Sequence, residues 1–326
     1  MKHSLKDVAR LAGVSLNTAS RVVNKRGYLS DNTIKKVNKA IESLDYQPNV
    51  LARTLHGKKS QFIGLILPNL LNPFYAELAN ILETKLFGFN YKLILCNSME
   101  DSSKERYYLR MLNANQVDGI ITSSHNTVKD YDSYSLPIVA FDRYLGNGIP
   151  TISSDNYSGG KLAANKLIIS GAKHILFFAG NEKELAPTND RVAGFKDAVR
   201  SANVDLKVLN FPFHKSVALK RSFLHKSFMS YSPDAVMASD DPNALLCIEE
   251  LKNIGLNVPE NVQVIGYDGS TWIRNYCSEL TTIVQPIADI ADVLVETLLS
   301  MIDKDIEKTP NQVVLPISLH AGTTTI

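Results

Sequence analysis

The chain has 326 residues, enough for two or three domains, and its 44% hydrophobic and 21% charged residues are an ordinary globular mixture. Three cysteines (Cys96, Cys247, Cys277), odd in number and far apart, exclude a disulfide framework and a thiolate metal site, and they fit a reducing compartment. The net charge of +2 hides a polarity: residues 1–59 hold 12 Lys/Arg against 4 Asp/Glu and the remainder 23 against 29, so a basic head on an acidic body points to a polyanionic partner.

Met1 to Leu5 runs into a polar amphipathic pattern with no apolar leader, and no apolar run approaches bilayer length, so a cytoplasmic location without membrane contact is expected. Ser4 and Asp7 form a capping box, after which Leu5, Val8, Ala9 and Ala12 recur at helical spacing. Gly13-Val14-Ser15 reads as a tight turn with Ser15 as the next N-cap. The second helix turns Ala19, Val22 and Val23 inward and leaves Leu16, Asn17, Thr18, Ser20, Arg21 and Asn24 outside. A third helix follows Ser30, with Ile34, Val37, Ile41 and Leu44 in register. Beyond Pro48, which Asn49 follows as a cap, Val50 to His56 reads as a helix too short to stand alone, so DNA or a second copy must support it.

From Phe62 the pattern becomes short apolar runs separated by helical stretches. The runs are Phe62–Leu67, Leu93–Cys96, Gly119–Thr122, Ile138–Phe141, Ile175–Ala179, Ala235–Ala238 and Val262–Gly266. They do not alternate, as expected of parallel strands covered on both faces. Helices are expected at Tyr75–Phe87, Glu105–Ala114, Gly160–Ser170, Asn243–Ile254 and Ile287–Ile302, with a late strand near Val313–Leu315. Repeated βαβ units with too many strands for one sheet make a doubly wound α/β body of two lobes. The expected domains are a head of residues 1–47, a hinge of 48–60 and a core of 61–326. Within the core, the first lobe takes about 61–157 and 287–314, and the second about 158–286 and 315–326.

Two constellations carry chemistry. In the head, two helices around a Gly-containing turn, the second opening on short polar residues, have the form that enters a major groove and reads base edges. The candidate contacts are Ser15, Leu16, Asn17, Thr18, Ser20, Arg21 and Asn24, with Tyr28 in the following segment. In the core, polar residues recur at strand carboxyl ends, where open α/β sheets bind ligands: Ser123, Asp142, Asp240 and Asp268. Each Asp taken singly serves equally well as a helix cap; together the four favour a cleft whose carboxylates accept hydrogen bonds from sugar hydroxyls. Phe74 and Tyr75 offer an aromatic wall. Walker, G-x-S-x-G and H-E-x-x-H motifs are absent and the seven histidines are scattered, so no enzyme, metal or cofactor is expected. A solute-binding protein and a sugar kinase are the rivals from other classes.

The stretch LKDVARLAGVSLNTASRVVNKRGYLS, followed by SDNTIKKVNKAIESLDYQPNVLARTLHGKKSQFIGLILPNLLNPFYAELA, resembles the lac repressor/galactose repressor family over essentially the whole chain. Further segments, among them SSDNYSGG, IGYDGS and LTTIVQPI, are similar to those of its sucrose operon repressors from Gram-positive bacteria. The resemblance implies an all-α helix-turn-helix head and a two-lobed, periplasmic-binding-protein-like core. It implies a hinge helix that forms on DNA, with Leu55 as the minor-groove wedge, Ala52 beside it and Arg53 near phosphates. It further implies Arg191 and Gln285 as effector contacts, and a homodimer on a pseudo-palindromic operator, released by a sugar or sugar phosphate; a corepressor is the alternative. The expected dimer surface is in the first lobe, at Tyr75–Phe87 with Phe89.

Overall fold

The computed structural model describes residues 3–23, 26–46, 59–99, 101–124, 131, 134–146, 148–180, 186–304 and 310–326. Two compact units divide the chain at Ser60.

The first unit is a three-helix head. Helix α1 (Leu5–Ala12) begins where the Ser4 amide donates to the Asp7 carboxylate at 2.9 Å. It ends on Gly13, whose φ of 66° lets the chain reverse without a Cβ clash. Helix α2 (Leu16–Val23) is capped by Ser15, whose hydroxyl accepts from the Thr18 amide at 3.1 Å. Helix α3 (Asp31–Ser43) is capped in the same way, Ser30 accepting from Thr33 at 3.4 Å. Val8, Ala12, Val22, Val37 and Ala40 make the small core, with Leu5, Val14, Leu29, Ile34, Ile41 and Leu44 packed around it. Val23, expected inside, is only half-buried. The expected hinge helix, Val50 to His56, lies outside the described residues.

The second unit holds two six-stranded sheets. One is built from β1 (Phe62–Leu67), β2 (Lys92–Asn97), β3 (Gly119–Thr122), β4 (Ile138–Phe141), β5 (Thr151–Ser154) and β11 (Gln312–Leu315). Its order is β11-β5-β4-β3-β1-β2, and every pairing is parallel. The other contains β6 (His174–Ala179), β7 (Asp205–Asn210), β8 (Ala235–Ala238), β9 (Gln263–Asp268), β10 (Thr281–Val284) and β12 (Ser318–His320). Its order is β12-β10-β9-β8-β6-β7, with β12 alone antiparallel.

The strands that the apolar-run reading missed are β5, β7, β10 and β12. Two are rich in threonine and serine (TISS, TTIV), β7 is an edge strand of alternating burial, and β12 has three residues. A run-based reading finds only strands whose residues are apolar on both faces.

Helices α4 (Pro73–Gly88) and α11 (Ile287–Ile302) cover one face of the first sheet, and α5 (Ser102–Ala114) lies on the other. On the second sheet, α6 (Asn156–Ile169) and α7 (Asn189–Arg200) pack on one face, and α8 (Val217–Tyr231) and α9 (Asp241–Asn253) on the other. The short α10 (Thr271–Tyr276) follows β9. The chain passes between the lobes after β5, β10 and β11, so these crossovers run beside the strand ends where the candidate site lies.

Candidate functional site

Between the lobes lies a cleft of about 1360 Å³. Its first-lobe wall includes Pro68, Asn69, Asn72, Phe74, Tyr75, Asn97, Phe141 and Asp142, and its second-lobe wall Arg191, Asn210, Lys220, Asp240, Asn243 and Asp268, with Gln285 at a crossover. Seven of the eight expected effector-site residues therefore converge: Phe74, Tyr75, Asp142, Arg191, Asp240, Asp268 and Gln285. Ser123 does not join them. One position beyond β3, its amide still donates to the Ile66 carbonyl at 3.0 Å, and the residue is buried and does not line the cleft.

Arg191 is the hub. It reaches the cleft because α6 and α7 approach backbone to backbone: a Cβ on Gly160 would strike the Arg191 carbonyl, and one on Gly194 the Tyr157 carbonyl. Glycine is needed here for closeness rather than for dihedral freedom. Arg191 is 5% exposed, and its guanidinium is held by protein groups. Nε and Nη2 donate to Asn156 Oδ1 at 3.0 and 2.8 Å, Nη1 donates to the Ser239 carbonyl at 2.8 Å, and the Tyr267 ring centroid lies 3.3 Å away. These contacts leave further N–H donors on a five-donor fork. The Asn156 amide also donates to Asp142 Oδ1 at 3.0 Å, joining the second-lobe arginine to the first-lobe carboxylate.

Two of the carboxylates sit on backbone that L-residues rarely adopt. Asp142 has φ 51° and Asp268 φ 110°. Such positions persist only where surrounding bonds over-determine them, and they concentrate at functional sites. Asp268 is held by Gln285 Nε2 at 2.7 Å and by Asn72 Nδ2, from the opposite lobe, at 2.9 Å. Gln285 in turn accepts from Ser154 Oγ at 2.6 Å. A second bridge joins the lobes at the rim, where Glu77 accepts from the amide and hydroxyl of Thr271, both at 2.7 Å.

Burial raises the proton affinity of these carboxyls. Asp142 is lifted to about 6, with Arg191 and the Asn156 amide offsetting part of the push. Asp268 is raised by burial, which Arg191 counters and Asp240 reinforces. Asp240 is raised by the same cause even though it caps α9, accepting from the Asn243 amide at 2.7 Å. Asp241, buried beneath the cleft, is pushed well up by burial and by Asp268; it accepts from Gly269 and Thr282 and supports the turn that presents Asp268. His214, Lys215 and Lys220 also line the cleft, and the two lysines give it a basic rim.

In the head, Ser15, Asn17 and Arg21 are exposed, as is Leu16 (44%), whereas Thr18 and Ser20 are half-buried. Tyr28 is 94% exposed. They present one polar surface along α2 and the segment after it, consistent with a face kept for a partner. Asn24, Asn49, Ala52, Arg53 and Leu55 lie outside the described residues.

The strand-end rule missed Asn72, Asn156 and Asp241. Asn156 follows an Asp that caps α6 through the Ser158 amide, so the SDN segment reads as helix initiation and conceals a second polar role. No group of three metal-ligating side chains occurs among the described residues, and no described helix is long and apolar enough to cross a membrane.

Two family descriptions match the chain: bacterial regulatory proteins, lacI family, over residues 4–49, and a periplasmic binding protein-like domain over residues 164–325. The sucrose operon repressor of Streptococcus mutans is 45% identical over 323 residues, 99% of both chains. That of Pediococcus pentosaceus is 45% identical over 325 residues, 99% of this chain and 100% of the relative. Among solved structures, a periplasmic binding protein/LacI transcriptional regulator from Alkaliphilus metalliredigens, complexed with D-xylulofuranose, is 32% identical with a TM-score of 0.73, covering 82% of this chain and 99% of its own. The lac repressor dimer bound to operator and the anti-inducer ONPF, 23% identical and covering 100% of both chains, shares the fold at a TM-score of 0.82. The helix-turn-helix head, the two-lobed core and full-length similarity to named repressors agree: the chain belongs to the lacI family of bacterial regulatory proteins and is a DNA-binding transcriptional repressor.

Proposed function

We propose that this repressor controls a sugar-utilisation operon, with sucrose as the sugar, and that a sugar or sugar phosphate bound between the lobes releases it from its operator. The observation that carries the reading is the convergence of Asp142, Asp240, Asp268, Arg191 and Gln285 on one cleft beside the aromatic Tyr75. Carboxylates and a guanidinium match the donors and acceptors of a polyol, and an aromatic edge suits its apolar face. The basic rim of Lys215 and Lys220 offers a place for a phosphate. The 45% identity to two sucrose operon repressors supports sucrose as the sugar.

Release follows from unequal binding to two lobe arrangements. The Asn72–Asp268 and Glu77–Thr271 bridges both join the lobes, so a sugar that takes over the Asp268 carboxylate would compete with one of these contacts. Two heads on a homodimer would meet a pseudo-palindromic operator. Phe87 and Phe89, 67% and 58% exposed on the first lobe, are the apolar residues that such a dimer would cover, while Leu78, Leu82 and Leu86 of the same helix fill the lobe's own core.

The test is operator binding titrated with sucrose, fructose and their phosphates. Release by one of them is expected; tightening would make it a corepressor, and indifference to all would refute the sugar reading. Arg21→Ala should weaken operator binding by roughly 1–3 kcal/mol without altering sugar affinity, measured by mobility shift and calorimetry.

A further inference from the structure

Beneath the first-lobe wall lies a buried polar cluster that touches none of the cleft space. Glu105, on α5, is 0% exposed. Its Oε1 accepts from Arg143 Nη1 at 2.7 Å and from the Tyr131 hydroxyl, and its Oε2 accepts from Ser124 Oγ at 2.7 Å. Arg143, 6% exposed, also donates to the Ser124 carbonyl and lies 5.3 Å over the Tyr131 ring. Ser98 Oγ sits 2.8 Å from Ser124 Oγ and 3.0 Å from the Leu67 carbonyl. The Arg143 carbonyl is held as well, by Thr151 Oγ1 at 3.0 Å.

Three members adjoin cleft residues in sequence. Leu67 precedes Pro68 and Asn69, Ser98 follows Asn97, and Arg143 follows Asp142. The cluster thus ties the carboxyl ends of β1, β2, β3 and β4 to α5. Apolar side chains filling this space would give equal or better stability, because a buried ion pair seldom outperforms hydrophobic packing. Directional bonds instead supply fixed orientation, and Asp142 needs it: its φ of 51° must be imposed by its neighbours.

We propose that Glu105 and Arg143 are positioning residues for effector recognition. Their buried ion pair holds Asp142 in its left-handed conformation, with its carboxylate in the cleft, and acts only through that residue. The inference rests on the reading that the cleft takes a sugar.

Sucrose, fructose and sucrose 6-phosphate are each titrated into the full chain, and the tightest binder is carried through the variants. The neutral pair Glu105→Gln/Arg143→Met keeps volume and removes both charges, so it should melt within about 5 °C of wild type. It should nevertheless bind the sugar on the order of tenfold more weakly, because a loosened support misplaces the contact group. Arg143→Lys, which keeps the ion pair, should stay within about threefold. Operator affinity without sugar should be unchanged in both. A role in stability alone would restore sugar affinity together with the melting temperature, so a neutral pair binding within about twofold of wild type overturns the inference. Should that variant not fold, Ser124→Ala removes one bond to Glu105 and leaves the ions paired. A loss of about threefold is then expected, and unchanged affinity overturns the inference. A wild type that binds none of the three sugars overturns the cleft reading itself, and this inference with it.

Discussion

Arg21 in the head and Arg191 in the core are the same side chain in opposite settings. Arg21 is exposed, and its Nη2 lies 3.4 Å from the Tyr28 carbonyl, a long bond. Arg191 is buried, donates three bonds of 3.0 Å or less, and lies over an aromatic ring. The head keeps the polar groups of α2 in solvent, as would suit a surface that slides along phosphates before it meets a site. The core pre-orders its groups with protein bonds, so that a small ligand need not supply the order itself.

The sharpest way to break this contrast is Arg191→Ala. It leaves Asn156 Oδ1 and the Ser239 carbonyl short of a donor and removes the cation that offsets Asp142 and Asp268. The core should lose about 3–5 kcal/mol, a drop of roughly 10 °C in its melting transition, while sugar affinity collapses. Arg21→Ala should leave the same calorimetric transition in place. A core that melts normally without Arg191 would mean that the cleft is not pre-ordered around it.

The units should also answer pH with opposite signs. Asp142 binds its proton more tightly when folded, about 6 against an ordinary 3.8, so the folded core takes up protons between those values. Its contribution to stability is therefore present below about pH 4 and is lost as pH rises through 6, on the order of 3 kcal/mol for this residue. Asp240, Asp241 and Asp268 are shifted in the same direction. In the head, Asp7 is held below the ordinary range by its bonds to Ser4, so its contribution is present at neutral pH and lost as acid protonates it. Scanning calorimetry should show the core melting higher near pH 5 than near pH 8, and a core indifferent to this change would contradict the burial of charge. Sugar affinity should rise with pH through about 6, because ionised carboxylates are the better acceptors.

A smaller effect, confined to sensing, is expected of Asp268→Ala. The change removes the acceptor shared by Asn72 and Gln285 and should cost on the order of 2–3 kcal/mol of sugar affinity. The Glu77–Thr271 bridge still joins the lobes, so operator affinity without sugar should remain near wild type, giving a repressor that binds DNA and ignores the sugar. Loss of operator binding by the folded variant would instead make Asp268 part of the repressing arrangement.

What was legible in the sequence follows the same division. The head is written locally: Ser4 with Asp7, Gly13, Ser15 and Ser30 each act within a few residues, so capping and periodicity find them. Core strands with two apolar faces were legible for the same reason. Of the residues that line the cleft, Asp142, Asp240 and Asp268 were legible because they stand at the ends of apolar strands. Arg191 and Gln285 came from family resemblance, and Asn72, which bonds a residue 196 positions away, gave no local signal. Ser123 does not line the cleft, because its amide still bonds to β1 one residue beyond the apolar strand.

The smallest effect tests how far the head's stability is local. Ser30 Oγ accepts the Thr33 amide at 3.4 Å, a long cap that satisfies one of the free donors at the start of α3. Ser30→Ala should therefore cost about 0.5–1 kcal/mol, at the low end for a lost cap. Because α3 supplies Val37 and Ala40 to a core of five small side chains, the loss should spread across the three helices and stop there. Amide exchange in α1, α2 and α3 should speed up by about two- to fivefold, as the population of the opened head rises in proportion. Exchange in β1, β6 and β9, buried under two layers of helices, should not change. Acceleration confined to the first turn of α3 would show a head that frays rather than opening as a unit, and acceleration in the strands would show that the two units share one cooperative transition.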